Sequence, residues 1–104
     1  MTSDLRVAIL GAGYIASWHA DAIRATPGAQ LVAVCDPARD AAEALAASYG
    51  IQAFADLDQM IAAQVCDVIH ILTPPNLHRD LAVKCLSAGL HVMVEKPVAL
   101  SVAE

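Results

Sequence analysis

Four short runs of apolar and often β-branched residues, LRVAIL (5–10), QLVAVCD (30–36), CDVIHIL (66–72) and LHVMV (90–94), recur along the chain with longer, alanine-rich stretches between them. The runs are apolar almost throughout rather than alternating. Strands of a parallel sheet have this pattern because helices cover both of their faces. The intervening stretches carry helical spacing: 14–25, then 39–49 closed by Gly50, then 57–63 behind Asp56 as an N-cap, then 76–88 closed by Gly89. Glycine just past a helix end accepts the left-handed conformation that stops it, and aspartate at the start can bond the free N–H groups. A further short strand is expected at 52–55. Strand and helix thus alternate about five times, which predicts a doubly wound α/β fold: a parallel sheet with helices on both faces.

Composition narrows the function classes. The 104-residue chain fits one domain. Apolar residues make up 58% and charged residues 16%, and alanine accounts for much of the apolar share. No apolar run approaches the roughly 18 residues of a membrane span, and the start MTSDLRVAIL has no basic n-region or small-residue cleavage site. A cytoplasmic protein with no membrane partner is expected. Net charge is −5, and the six Lys and Arg residues are scattered, which argues against a nucleic-acid surface. Cys35, Cys66 and Cys85 form no C-x-x-C pair and read as small buried hydrophobes. The histidines show no metal-ligand spacing, so no metal site is expected; His19, His70 and His91 read as structural.

The first strand runs directly into Gly11-Ala12-Gly13-Tyr14-Ile15-Ala16, a G-x-G-x-x-A. Gly11 permits the tight turn, Gly13 lets backbone approach a pyrophosphate, and Ala16 keeps the helix close to the sheet. The helix then offers its free N–H groups and the positive end of its dipole to phosphates. The motif alone is weak, but its setting between strand and helix supports it. About 20 residues further on, where a ribose-binding acid belongs, Asp36 ends the second strand. Its carboxylate can accept from ribose hydroxyls and would repel a 2′-phosphate, so NAD is preferred, with NADP not excluded. The alternative is that Asp36 caps a turn before Pro37. Arg39 lies where it can cover the adenine or meet a 2′-phosphate, or it is a solvated helix-start side chain.

At the far side, Pro74 and Pro75 force the chain out of the sheet at Thr73. Ligands of such folds sit outside the carboxyl ends of the strands, so residues 73–78 face the crevice. Asn76 either caps the next helix or lines the site, and His78 stands in that helix's first turn. The last strand delivers Glu95-Lys96-Pro97 to the same edge. A lysine there is either a surface charge or, with its pKa lowered by burial, a donor or proton relay.

Together GAGYIA, TPPNLH and VEKP, in this order on successive strand ends, resemble the N-terminal NAD(P)-binding Rossmann domain of the Gfo/Idh/MocA oxidoreductases. The resemblance covers essentially the whole chain. It implies a nicotinamide-dependent dehydrogenase that oxidises a secondary hydroxyl of a sugar, cyclitol or nucleotide sugar. Carried over, Gly11, Gly13, Tyr14 and Ile15 would hold the pyrophosphate, and Asp36 the adenosine ribose. Thr73, Pro74, Asn76 and His78 would line the nicotinamide side, with Glu95 near the ring. Lys96 would be the catalytic residue at the reacting hydroxyl, and Pro97 would follow a bond that is often cis in that family.

The family also has a C-terminal α/β domain that completes the substrate site. Here the sequence stops on Ser101-Val102-Ala103-Glu104, an S-x-x-E helix opening. The expectation is one domain over 1–104, truncated before the sixth strand and the substrate domain, binding cofactor without full catalysis. It would associate with itself through the flank so exposed. The rival reading is a stand-alone nucleotide-binding or protein-interaction module without enzyme activity.

Overall fold

A computed structural model describes residues 4–13, 15–73 and 75–94. The elements run β1 (Leu5–Leu10), α1 (Ala16–Arg24), β2 (Ala29–Cys35), α2 (Arg39–Tyr49), β3 (Gln52–Phe54), α3 (Leu57–Ala62), β4 (Val68–Ile71), α4 (Pro75–Ser87) and β5 (His91–Val94). All pairings are parallel, in the order β3-β2-β1-β4-β5. This is the expected doubly wound sheet. From β1 the chain winds outward to β2 and β3, then crosses to β4 and β5 on the other side. The gap between the carboxyl ends of β1 and β4 is therefore the topological switch point, where such sheets bind ligands.

The two periods of the sequence build two cores. Along β1, Val7 and Ile9 point to one face and Ala8 and Leu10 to the other. On the first face, Ala16, Ala20 and Ile23 of α1 and Ala42 and Ala46 of α2 pack against Val7, Ile9, Leu31 and Val34. On the second, Leu57 and Met60 of α3 and Cys85 of α4 pack against Ala8, Leu10, Ala33, Ile69 and Ile71. Small alanines bring α1 and α2 close to the sheet. All three cysteines are free and buried, as the sequence suggested.

Helix ends follow their local chemistry. Gly50 takes the left-handed conformation that closes α2. Asp56 caps α3, its carboxylate accepting from the Asp58 N–H at 2.8 Å. Asn76 is not a cap, because α4 already begins at Pro75. Proline suits a first helical position, where its missing N–H is no loss and its fixed φ matches the helix. Strand β4 is shorter than its apolar run, starting at Val68. Asp67 just before it still bonds both neighbours through its backbone, its N–H donating to Arg6 O at 2.7 Å and its carbonyl accepting from the His91 N–H at 3.0 Å. Its carboxylate binds Arg6: Oδ1 accepts from Nη2 at 2.9 Å, and Oδ2 from Nε at 3.2 Å and from the backbone N–H at 2.9 Å. No helix among the described residues is long and apolar enough to cross a membrane.

The Arg6 hydrogen bonds hold the Asp67 carboxyl down to about 2, below its ordinary 3.8. A carboxyl depressed in the folded state contributes stability above its unfolded pKa and loses it as pH falls through the folded value. Unfolding free energy should therefore fall more steeply from about pH 5 to about pH 2 in the wild type than in Asp67→Asn, as read by urea melts. Equal slopes would contradict this role for Asp67.

Candidate functional site

The carboxyl ends of β1, β2 and β4 meet around the glycine turn. Gly11 adopts φ +112°, a conformation that favours glycine. Its N–H donates to the Cys35 carbonyl at 2.8 Å, tying the turn to the end of β2. On its other side the backbone of β4's exit presses close. A Cβ on Gly11 would stand 3.3 Å from Leu72 C and from Thr73 N. Gly11 is thus fixed by φ and by space together.

Gly13 is different. A Cβ there meets nothing within 4 Å. The space outside it opens into a cavity of about 310 Å³ between the turn and α2, lined by Ala12, Gly13, Ser17, Ala44 and Ser48 among others. A side chain at Gly13 would be sterically free, and it would fill ground that a ligand could occupy. Ile15 is the N-cap residue of α1 and makes no side-chain cap bond. Ala16 donates its N–H to the Gly13 carbonyl at 2.9 Å, so helix and turn are continuous. Ala16 itself is wholly buried, as close packing of helix and sheet requires. The positive end of the α1 dipole is thus presented at the glycine turn.

Asp36 stands just beyond β2 and is partly buried. Its Oδ2 accepts the Ala12 N–H at 2.7 Å, and its Oδ1 accepts the Ala38 N–H at 2.8 Å. The second bond is the turn cap weighed from the sequence; the first, to the glycine turn, had no sequence signal. A carboxylate carries about four acceptor positions, so two remain for a further donor such as a ribose hydroxyl. The Asp36 backbone N–H donates to Phe54 O at 3.0 Å, which fixes the residue between β2 and β3. Arg39 opens α2 and is exposed.

Next to Asp36 lies a second cavity of about 290 Å³, lined by Leu10, Cys35, Pro37, Ala55, Leu57, Thr73 and Leu81 as well as Asp36. It is a mainly apolar slot with one carboxylate at its edge, the chemistry that suits a flat heterocycle attached to a hydroxylated sugar. Among the predicted residues, Asp36 and Thr73 line it. Pro37, Ala55, Leu57 and Leu81 were not foreseen, because they come from separate elements brought together by the fold. Cys35 forms part of its wall. Burial, reinforced by the Asp36 charge, pushes the Cys35 thiol up to about 11, so it stays a neutral apolar group.

Asn76 and His78 fall in the first turn of α4, at this same edge of the sheet. Tyr14, Pro74, Glu95, Lys96 and Pro97 lie outside the described residues. Of the histidines set aside as structural, His19 and His70 meet edge to face with ring centroids 4.9 Å apart, on the α1 face of the sheet.

A family model described as an oxidoreductase family with an NAD-binding Rossmann fold, GFO_IDH_MocA, matches residues 5–104. The chain is 39% identical over 104 residues to an inositol 2-dehydrogenase of Leifsonia xyli subsp. xyli, covering 99% of this chain and 31% of that protein. It is 40% identical over 102 residues to a D-glucoside 3-dehydrogenase of Escherichia coli, covering 96% and 29%. Among solved structures it resembles GenD2 from gentamicin A biosynthesis in complex with NAD, with a TM-score of 0.86, 31% identity, and coverage of 93% of this chain and 28% of that one. The chain thus spans a little under a third of the length of these proteins.

The two glycines should part company on mutation. Gly11→Ala should lose about 1–3 kcal/mol of stability through the strained φ and the crowded backbone. Gly13→Ala should unfold within about 0.5 kcal/mol of the wild type, as surface substitutions generally do. Equal losses in denaturant melts would contradict the geometry.

Proposed function

The chain belongs to the Gfo/Idh/MocA oxidoreductase family, and from that premise we infer that it is the dinucleotide-binding portion of a dehydrogenase acting on a secondary hydroxyl of a sugar, cyclitol or nucleotide sugar. The observation that carries the reading is the junction at Ala12, where the glycine turn, the N-terminus of α1 and the Asp36 carboxylate come together at the switch point of the sheet. The relatives named above act on inositol and a D-glucoside, which supports the polyol or sugar substrate class.

The residues present fit a nicotinamide dinucleotide. Gly13 leaves open space for a pyrophosphate, with Ile15 at the start of α1 beside it, and Tyr14 would also contact it. The apolar slot receives the adenine, and Asp36 accepts from the adjoining ribose. The bound nicotinamide would supply the hydride acceptor. Thr73, Pro74, Asn76, His78 and Glu95 would border its side of the crevice. Lys96 would take the proton of the reacting hydroxyl, and Pro97 would set the path of the chain behind it. Hydride transfer needs the reacting atoms held in a water-poor enclosure. A single sheet edge provides one wall of it. The chain alone therefore binds cofactor, and turnover requires further polypeptide of the kind that makes the relatives about three times as long.

NAD is the preferred cofactor, because a fixed Asp36 carboxylate repels a 2′-phosphate. Arg39 is close in sequence but is exposed at the start of α2. One observation favours self-association in addition. On the α1 side of β4 and β5 lies a mainly apolar groove of about 550 Å³, bordered by Leu5, Val7, Ile23, Val68 and Met93, with His19, His70 and His91 also in its lining. Leu5 and Met93 are each more than half exposed. Apolar surface of this kind drives association, and sedimentation across a concentration series tests it.

Thermal melts with each cofactor test the cofactor reading. A ligand at about 100 times its dissociation constant stabilises the native state by about 2.7 kcal/mol. NAD should raise the melting temperature at lower concentration than NADP. Gly13→Val should melt like the wild type without ligand and lose the NAD response. No response of the wild type to either dinucleotide at millimolar concentration would overturn the reading.

A further inference from the structure

The carboxylate assigned to the ribose is already engaged on the protein side. Asp36 Oδ2 receives the Ala12 N–H at 2.7 Å, from the residue between the two glycines of the turn. Its Oδ1 receives the Ala38 N–H at 2.8 Å, so both oxygens are held by backbone donors and the side chain cannot rotate freely. The rest of the turn is fixed at its ends: Gly11 N–H to Cys35 O at 2.8 Å, and Ala16 N–H to Gly13 O at 2.9 Å. Between those ends, the bond to Asp36 holds Ala12, and Ala12 leads directly into Gly13, which faces the open pyrophosphate ground.

We propose that Asp36 is a positioning residue for the glycine turn as well as an acceptor for ribose, so that one side chain sets both the pyrophosphate and the ribose subsites. This inference rests on the dinucleotide reading given above. Removing the carboxylate strips the acceptor from a partly buried amide, and hydrogen bonds to charged groups are among the stronger ones. The turn then samples other conformations, and a phosphate-bearing ligand must reorder it on binding. Loss of Asp36 accordingly weakens NAD and NADP together. It does not convert the chain to NADP, although the repelling charge is gone.

The test uses the full chain with two probes, ADP and 2′,3′-dideoxy-ADP, the second lacking both hydroxyls that Asp36 would bind. Calorimetric titration compares wild type, Asp36→Ala and Asp36→Asn, with ligand-free melts to confirm folding. Asp36→Ala should weaken dideoxy-ADP on the order of tenfold, and ADP by at least as much. Asp36→Asn, whose carbonyl oxygen can still accept one backbone N–H, should fall between. NADP should bind Asp36→Ala no more tightly than it binds the wild type. Unchanged dideoxy-ADP affinity in Asp36→Ala, or a gain in NADP affinity, would overturn the proposal and leave Asp36 as a ribose ligand only. Absence of ADP binding by the wild type would overturn the dinucleotide reading itself, and this inference with it. Amide exchange in the wild type gives a check that needs no variant. The Ala12 N–H should exchange slowly, and exchange at the rate of an exposed loop amide would overturn the proposal.

Discussion

Strand β1 sits in the middle of the sheet, bonded in parallel to β2 on one side and to β4 on the other, and the rest of the molecule depends on that placement. Because every strand is parallel, every carboxyl end lies on one edge. Because the chain leaves β1 outward and later returns to its other side, two strand exits diverge there and leave a crevice. The burial of Ala8 and Ile9, each fully enclosed on its own face, commits the strand to this central position. A one-residue slip would exchange the two cores. The turn after Leu10 therefore has no freedom of place.

At that place the chemistry divides among neighbours in the sequence. Gly11 serves the fold, since its φ and the close approach of Leu72 and Thr73 both disfavour a side chain. Gly13 faces open space, and on the proposed reading that space is the ligand's. Ala16 draws α1 onto the sheet, and the start of that helix carries no side-chain cap. Asp36 reaches across from the end of β2 and bonds the amide between the two glycines. This edge of the sheet is thus a cross-linked junction of two strand exits and a helix start.

Much of this was legible in the sequence because it is local. The span 39–49 and its closing Gly50 emerge as read, since helical periodicity and a left-handed stop are properties of adjacent residues. The spacing from GAGYIA to Asp36 was also readable, because strand–helix–strand units have a fixed length. What escaped is what the fold brings together from a distance. Leu81 and Ala55 share a slot with Asp36 although they lie on α4 and just after β3. His19 and His70 meet edge to face across α1 and β4. The run 66–72 reads as one long strand, whereas β4 spans only Val68–Ile71, with Asp67 just before it paired through its carboxylate with Arg6. Asn76 competed for a cap position that Pro75 removed by entering the helix first.

The central claim is that a dinucleotide lies across the switch point, with its pyrophosphate at the glycine turn and its adenosine beside Asp36. Mapping amide chemical shifts of the isotopically labelled chain during titration with NAD tests it most directly. The account predicts the largest changes at Ala12, Gly13, Ile15, Asp36 and Ala38, with little change at Arg6, Gln64 and Leu90 around the opposite end of the sheet. Changes concentrated at that opposite end, or on the groove beside His91 and Met93, would contradict it.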